Sequence, residues 1–178
     1  MTSRRNFLAM CAAGCAAGFS APLFAMPGGA RHERQLKLYN LHTGEKLSTT
    51  YWIQGEYLRP ELAALNHLLR DYRNDEIESI DPRLFDQFGL LQHKLGHRGA
   101  YHILSGYRSP ATNAWLRRHS SGVAKHSLHM QGRAIDLRLP GVSLKHLRKA
   151  ALAMHAGGGG YYPRSNFVHL DTGRPRFW

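Results

Sequence analysis

The alternation of apolar and polar positions predicts a β-hairpin near the start of the folded region. Residues 34–41 and 46–53 alternate in polarity and contain β-branched and aromatic side chains. The short segment Thr43-Gly44-Glu45 between them supplies a turn. Because successive side chains of a strand point to opposite faces, each segment can bury one face against a core.

Helical spacing of apolar residues follows the hairpin. Four segments combine this spacing with an initiating Pro or a capping Ser: about 60–72, 82–95, 110–118 and 143–155. Pro is favoured at the first position of a helix, and a Ser just before the helix caps the free N–H groups of its first turn. The sequence therefore predicts four helices.

The remaining apolar segments are short. They predict strands over residues 101–105, 133–139, 161–162 and 167–171, with a loop over 120–132. The glycines of 157–160 are expected either to form a flexible turn after the helix or to let the backbone approach a substrate. Because the repeating βαβ pattern of parallel sheets is absent, we expect a single α+β domain: a small antiparallel sheet flanked by helices, with the N-terminal hairpin attached.

The first 25 residues have the pattern of an export signal. Arg4-Arg5 is followed by Phe7-Leu8 and by a weakly apolar, Ala-rich and Gly-rich stretch without charges up to Ala25. This pattern predicts a twin-arginine signal peptide over 1–25, with cleavage near Ala25, a linker over 26–33 and a domain over 34–178. We expect a periplasmic protein without stable membrane insertion, with a lipid anchor at Cys15 as the alternative.

Charge and cysteine content narrow the function. The chain has 24 Lys and Arg against 12 Asp and Glu, and residues 87–178 hold fourteen of these cations and only two acids. Such an excess indicates a polyanionic partner such as nucleic acid, a wall polymer or a membrane surface. Both cysteines, Cys11 and Cys15, lie in the predicted signal segment. We therefore expect a mature chain without a Cys nucleophile, a disulfide or a Cys-ligated metal.

The two acids of the basic half stand close to histidines. His129 precedes Asp136 by seven residues, and His169 precedes Asp171 by two. Two imidazoles and a carboxylate suit a catalytic zinc, which takes three protein ligands and leaves a fourth position to water. Most other histidines are expected at the surface or in hydrogen bonds, and His126 is ambiguous. Trp52, Trp115 and Trp178 are expected to be packing anchors.

Four short motifs carry a family resemblance. They are Ser105-Gly-Tyr-Arg-Ser109, the Ser127-x-His129-x-x-Gly132-x-Ala134-x-Asp136 pattern, Gly160-Tyr-Tyr-Pro163 and Phe167-Val-His-Leu-Asp171. In this order they resemble the LAS superfamily of lysostaphin, D-Ala-D-Ala and hedgehog-like zinc peptidases. Within it, the chain is most similar to the YcbK-like murein endopeptidases of the MepK type.

The resemblance implies a site and a substrate. His129, Asp136 and His169 would bind one zinc ion per chain, and Arg108 would bind the substrate carbonyl or carboxylate and stabilise the oxyanion. The implied substrate is the peptide stems of peptidoglycan, whose cross-links a zinc-activated water would hydrolyse. Export argues against a nucleic-acid partner.

The general base departs from the pattern of many relatives. Where they place a Glu or a His shortly before the last ligand, this chain has Asn166 and Phe167, and its last Glu is Glu78. The base is then Asp171, His126, a residue from the first half, or absent. Asp171 is preferred because it shares a strand face with His169, and its alternative role is to hydrogen-bond a ligand.

Two other functions stay open. A D-Ala-D-Ala carboxypeptidase would use the same groups on a terminal bond. A non-catalytic, zinc-stabilised peptidoglycan-binding module would explain a missing base.

Overall fold

The computed structural model describes residues 32–178, and the strands of this region form one eight-stranded sheet. The strands are β1 (Glu33–Asn40), β2 (Lys46–Ile53), β3 (Glu56–Tyr57), β4 (Tyr101–Ser105), β5 (Ala134–Arg138), β6 (Gly158–Tyr162), β7 (Phe167–Asp171) and β8 (Arg176–Phe177). Their order across the sheet is β3-β2-β1-β4-β5-β7-β6-β8. The helices are α1 (Arg59–Leu68), α2 (Pro82–Leu95), α3 (Pro110–His119) and α4 (Leu144–Leu152), with a 3-10 helix over Leu128–Gln131.

The predicted α+β class and the N-terminal hairpin are confirmed. The sheet is larger than expected, and it is mixed because β1 pairs with β4 and β6 pairs with β8 in parallel. Parallel neighbours need a long crossover connection. Helices α1 and α2 supply it between β1 and β4, so a parallel pair forms without the repeating βαβ pattern.

One face of the sheet is buried under helices. Leucines and phenylalanines of α1, α2 and α4 pack on alternate residues of β1, β4, β5 and β7 to form the core. The Tyr101 hydroxyl satisfies its buried position by donating to the Phe88 carbonyl oxygen at 2.8 Å. The opposite side chains of the same strands, which include Asp136 and His169, lie on the other face.

Two helices end earlier than their apolar spacing predicts. Helix α1 ends at Leu68, and the Leu69 carbonyl accepts the Tyr107 amide at 2.7 Å instead of continuing the helix. Helix α4 ends at Leu152, and His155 has a φ of 52°, which a helix does not allow. Tertiary hydrogen bonds and a turn therefore override the local spacing.

The prediction of a flexible turn is wrong for residues 158–160. Residues 158–160 belong to β6, where they pair with β7. A Cβ atom at Gly158 would lie 2.5 Å from the Asp171 Oδ2 atom, and one at Gly160 would lie 2.7 Å from the Trp178 ring. The glycines therefore make room for two side chains that lie against the strand.

The predicted signal peptide and residues 26–31 of the linker lie outside the described residues. Within residues 32–178, no helix has both the length and the apolar character needed to cross a membrane.

The replacement Gly132→Ala is expected to destabilise the fold strongly. Gly132 has a φ of +63°, and an added Cβ would lie 2.0 Å from the Ser79 backbone oxygen. The left-handed conformation and the backbone clash together predict a loss of about 2–4 kcal/mol in the free energy of unfolding, measured by urea denaturation. Gly122→Ala is the control, because Gly122 has a φ of +82° with open space around it, which predicts a loss of about 1 kcal/mol. Equal losses would contradict the clash.

Candidate metal centre

Three ligand atoms converge on the uncovered face of the sheet. Asp136 of β5 and His169 of β7 are directly paired across the two strands, and His129 reaches them from the 3-10 helix. The His169 Nδ1 atom lies 2.9 Å from Asp136 Oδ1 and 3.2 Å from His129 Nε2. All three side chains are buried. The group can hold a metal ion.

The local sequence holds His129 in place. The Ser127 hydroxyl caps the 3-10 helix by accepting the His129 amide, and Gly132 closes it in the left-handed conformation. The amide of Arg108 donates to the His129 carbonyl at 3.2 Å. The hydrogen bond from Arg108 therefore fixes the loop between α3 and β5 against the residues that follow β4.

The outer nitrogens of both imidazoles are hydrogen-bonded. His129 Nδ1 donates to the Gly106 carbonyl oxygen at 2.8 Å, and His169 Nε2 donates to Asp171 Oδ2 at 3.1 Å. These acceptors place the ring protons away from the centre, so the lone pairs of His129 Nε2 and His169 Nδ1 face the Asp136 carboxylate. Three facing acceptor atoms need a cation between them, so the donor set fits a metal.

Asp171 lies behind His169 and is fully buried. Its carboxylate accepts the amides of Gly158 at 3.0 Å and Gly173 at 2.8 Å, two N–H groups of Arg176, and His169 Nε2. Burial alone would raise the pKa of Asp171, but these hydrogen bonds outweigh burial and hold the pKa below its usual range. Both oxygens are engaged, and Asp171 does not line the pocket in front of the ligands.

The two paired ligands also have shifted pKa values. Burial disfavours the charged form of each, but neighbouring charges and hydrogen bonds outweigh burial. The charge and hydrogen bond of His129, followed by those of His169, lower the pKa of Asp136. Hydrogen bonds to Asp136 and then to Asp171 raise the pKa of His169. A proton therefore competes with a metal for His169, and metal binding at this site releases protons.

Arg108 lies at the edge of the centre. One of its terminal nitrogens is 3.9 Å from Asp136 Oδ2, and the other is 3.4 Å from the Asn113 side-chain oxygen, to which it donates. Its Nε atom is buried and has no hydrogen-bond partner among the described residues. Burial lowers the pKa of Arg108, while Asp136 opposes the shift. The guanidinium keeps unused donors beside the ligand group.

These residues share one open pocket of about 360 Å³. Its lining includes the three ligands, Arg108 and an exposed His126 from the loop before the 3-10 helix. Five of the six predicted site residues therefore line the same pocket. Asp171, the sixth, lies in contact with His169 but outside the pocket.

Two residues at the end of the chain were not predicted to belong to this site. Trp178 is 45% exposed rather than a packing anchor, and its ring centroid is 5.2 Å from that of His169. Its indole N–H donates to the Tyr162 hydroxyl at 2.7 Å. Arg176 also lines the pocket while it binds Asp171. Gly160 is the one residue in the sequence that indicates where Trp178 lies, because its missing side chain makes room for the indole.

Comparison with known proteins identifies the family. Residues 29–178 match the model of a family described as peptidoglycan L,D-endopeptidase MepK, Peptidase_M15_2. The chain belongs to this family. The MepK of Escherichia coli strain K12 is 50% identical over 179 residues, which cover 99% of this chain and 97% of that protein. A protein of Haemophilus influenzae, named a probable peptidoglycan L,D-endopeptidase MepK, is 44% identical over 146 residues, covering 82% of this chain and 78% of the relative.

No solved structure matches the chain in a structural search. Membership of the MepK family confirms that the chain is a peptidase, as the four sequence motifs predicted. The M15 peptidases are metal-dependent, which agrees with the group of His129, Asp136 and His169.

Proposed function

We propose that the chain is an exported zinc peptidase that hydrolyses an amide bond in the peptide cross-links of peptidoglycan. The observation that carries the proposal is the ligand group in an open pocket beside Arg108. The names of the relatives indicate the bond, an L,D link. The link between two diaminopimelate residues, which joins an L centre to a D centre, fits that name.

The donor set favours zinc over magnesium and calcium. Two imidazole nitrogens and one carboxylate oxygen are a common ligand set of catalytic zinc sites, whereas magnesium and calcium prefer oxygen ligands alone. Bound zinc would polarise the substrate carbonyl and lower the pKa of a water molecule to about 7. His129, Asp136 and His169 would hold the ion from the sheet side and leave the pocket side open.

Arg108 is positioned to stabilise the oxyanion of the reaction. Its guanidinium is mostly buried, with a side chain 14% exposed, so its charge is poorly screened by water. Its bonds to Asn113 and Ser105 are long, at 3.4 and 3.5 Å, which leaves donors for a developing negative charge in the pocket. Arg suits this task because it stays charged and presents a planar fork of donors.

His126 is the better of the two candidates for proton transfer. Asp171 has both oxygens occupied by donors and does not reach the pocket. His126 lines the pocket and is exposed. We therefore assign His126 to proton transfer and Asp171 to orienting His169, so that its Nδ1 lone pair faces the metal.

Export follows from the proposed substrate as well as from the signal pattern. Peptidoglycan lies outside the cytoplasm, so a wall hydrolase has to cross the inner membrane. The predicted twin-arginine signal over residues 1–25 provides that route and would leave the protein in the periplasm.

Digestion of defined muropeptides tests the proposed reaction. The purified mature protein, loaded with zinc, is expected to cut dimers joined by a diaminopimelate–diaminopimelate link and to leave dimers joined by a D-Ala–diaminopimelate link intact. Mass spectrometry of the products identifies the bond. Cleavage of terminal D-Ala-D-Ala instead would show a carboxypeptidase. A protein that binds zinc and the wall but cuts no bond would be a binding module.

The role of His126 predicts a specific loss in His126→Ala. Its kcat is expected to fall about 100-fold or more, because a positioned acid–base group contributes 10²–10⁴-fold. Zinc content should stay at one ion per chain, and added imidazole should restore part of the rate. His119→Ala is the control, because His119 is also an exposed histidine but stacks on Trp115 of α3 instead of lining the pocket. An unchanged kcat in His126→Ala would remove His126 from the mechanism.

The role of Asp171 predicts weaker metal binding in Asp171→Asn. Loss of a carboxylate that orients a ligating histidine lowers metal affinity roughly 10–100-fold. A competitive chelator titration measures this affinity, and thermal denaturation checks the fold. Asp86→Asn is the control, since Asp86 binds Arg34 away from the site. Unchanged affinity together with a large fall in kcat would mean that Asp171 itself transfers the proton.

A further inference from the structure

The face of the sheet that carries the metal ligands continues beyond the pocket. Tyr39 of β1 is paired with both Lys46 of β2 and His102 of β4, and His102 is paired with Arg138 of β5. Paired residues on neighbouring strands point to the same face of a sheet. Arg138 is two residues from Asp136 on the same strand, so the row of side chains lies on the ligand face.

These residues, together with Lys37 two positions before Tyr39, form what we call the cationic strip. The Tyr39 and His102 rings meet edge to face with centroids 5.1 Å apart, and the Lys46 ammonium lies 5.3 Å from the centre of the Tyr39 ring. Lys37 and Lys46 are exposed, and the other three members are partly exposed. The helices of the core pack on the opposite face of the sheet. The strip is therefore accessible from solvent.

The charges of the strip are not neutralised by the protein. Among residues 32–178, no ion pair involves Lys37, Lys46 or Arg138. The Nδ1 atom of His102 is buried without a hydrogen-bond partner in this region. By contrast, Arg70 forms an ion pair with Glu45, and Arg176 forms one with Asp171. Unpaired like charges on one face repel each other and favour an anionic partner.

The strip also has the shape of a binding surface. Lys37, Tyr39, Lys46 and His102 line a depression of about 640 Å³. At its other end, Arg138 is one residue beyond the Leu137–Val168 pair, which places it next to Phe167 of the metal-centre pocket. From β5 to β2 the strip crosses three strand spacings of about 4.8 Å, so it extends roughly 14 Å from the pocket. An extended peptide covers that distance with about four residues.

We propose that the cationic strip binds the stem peptide on one side of the scissile cross-link, through carboxylates several residues from the bond that is cut. This inference rests on the proposed function, because it takes the cross-linked wall peptide as the substrate. The lysines and Arg138 would bind carboxylates, and Tyr39 would pack on the peptide between them. The strip thereby selects cross-linked stems of the assembled wall over short fragments.

The test compares two variants that each lose three cations. The strip variant is Lys37→Gln, Lys46→Gln and Arg138→Gln. The control is Arg59→Gln, Lys145→Gln and Lys149→Gln, whose exposed cations belong to α1 and α4 on the other side of the sheet. Both are assayed as zinc-loaded mature protein on two substrates: a full cross-linked stem-peptide dimer, and a truncated fragment that keeps only the residues next to the cross-link.

The strip variant is expected to show about a tenfold higher KM for the full dimer with unchanged kcat, and about a tenfold weaker affinity for purified wall sacculi at low salt. Its kcat/KM for the truncated fragment should match the wild type, and the control should match the wild type on both substrates. Added salt should weaken the wild type more than the strip variant, because salt screens exposed charges. If loss of Arg138 lowers the melting temperature, the double variant Lys37→Gln with Lys46→Gln replaces the strip variant, because it changes only exposed side chains. It should show a smaller effect in the same direction.

Three results would overturn the strip proposal. Equal losses in the strip variant and the control would mean that only net charge matters. Equal losses of the strip variant on both substrates would place the strip in the catalytic machinery or the fold. Binding of the wild type to anionic phospholipid vesicles through the strip, without strip-dependent binding to sacculi, would make the partner a lipid surface.

Failure of the proposed hydrolysis gives a different result. A wild type that binds sacculi through the strip but cuts neither substrate would contradict the proposed hydrolysis and still support the strip as a wall-binding surface.

Discussion

The buried carboxylate of Asp171 is the constraint on which the metal-centre end of the sheet depends. A fully buried charge is costly unless donors surround it. Here the donors come from three strands and a turn. The strands supply the Gly158 amide of β6, the His169 imidazole of β7 and the Arg176 guanidinium of β8. The turn between β7 and β8 supplies the Gly173 amide. Satisfying this one charge therefore fixes where β6 and β8 lie relative to β7.

The same hydrogen bonds connect the fold to the chemistry. Asp171 accepts a hydrogen bond from the Nε2 atom of His169, so the Nδ1 atom faces Asp136 across the β5–β7 pair. Arg176 binds Asp171 from behind and leads into Trp178, which borders the pocket. The glycines of β6 are part of this arrangement, because a side chain at Gly158 or Gly160 would collide with Asp171 or Trp178. A structural requirement of the sheet and the orientation of a ligand are thus met by the same atoms.

The two faces of the sheet have different roles. One face holds a continuous apolar core under α1, α2 and α4, and this gives the strands rigid positions. The other face carries the ligand group, the pocket and the cationic strip. Two of the three ligand atoms, those of Asp136 and His169, come from paired strands, which hold side chains more closely than loops do. This suits a group whose three ligand atoms lie within 4.8 Å of one another. His126, which comes from a loop, is exposed.

The sequence by itself determined the hairpin, the starts of the helices and the family, because these depend on local spacing, capping residues and short motifs. Through the family resemblance it also named His129, Asp136 and His169 as candidate metal ligands. It also predicted that Asp136 and His169 could face one pocket, since alternation along a strand is a local property. Only the tertiary structure decided that 158–160 form a strand, that α1 stops at Leu68, and that Asp171 is enclosed by donors instead of facing the pocket. Each of these depends on residues far apart in the chain, such as Trp178 against Gly160 and Tyr107 against Leu69, and no local pattern records which distant atoms will meet.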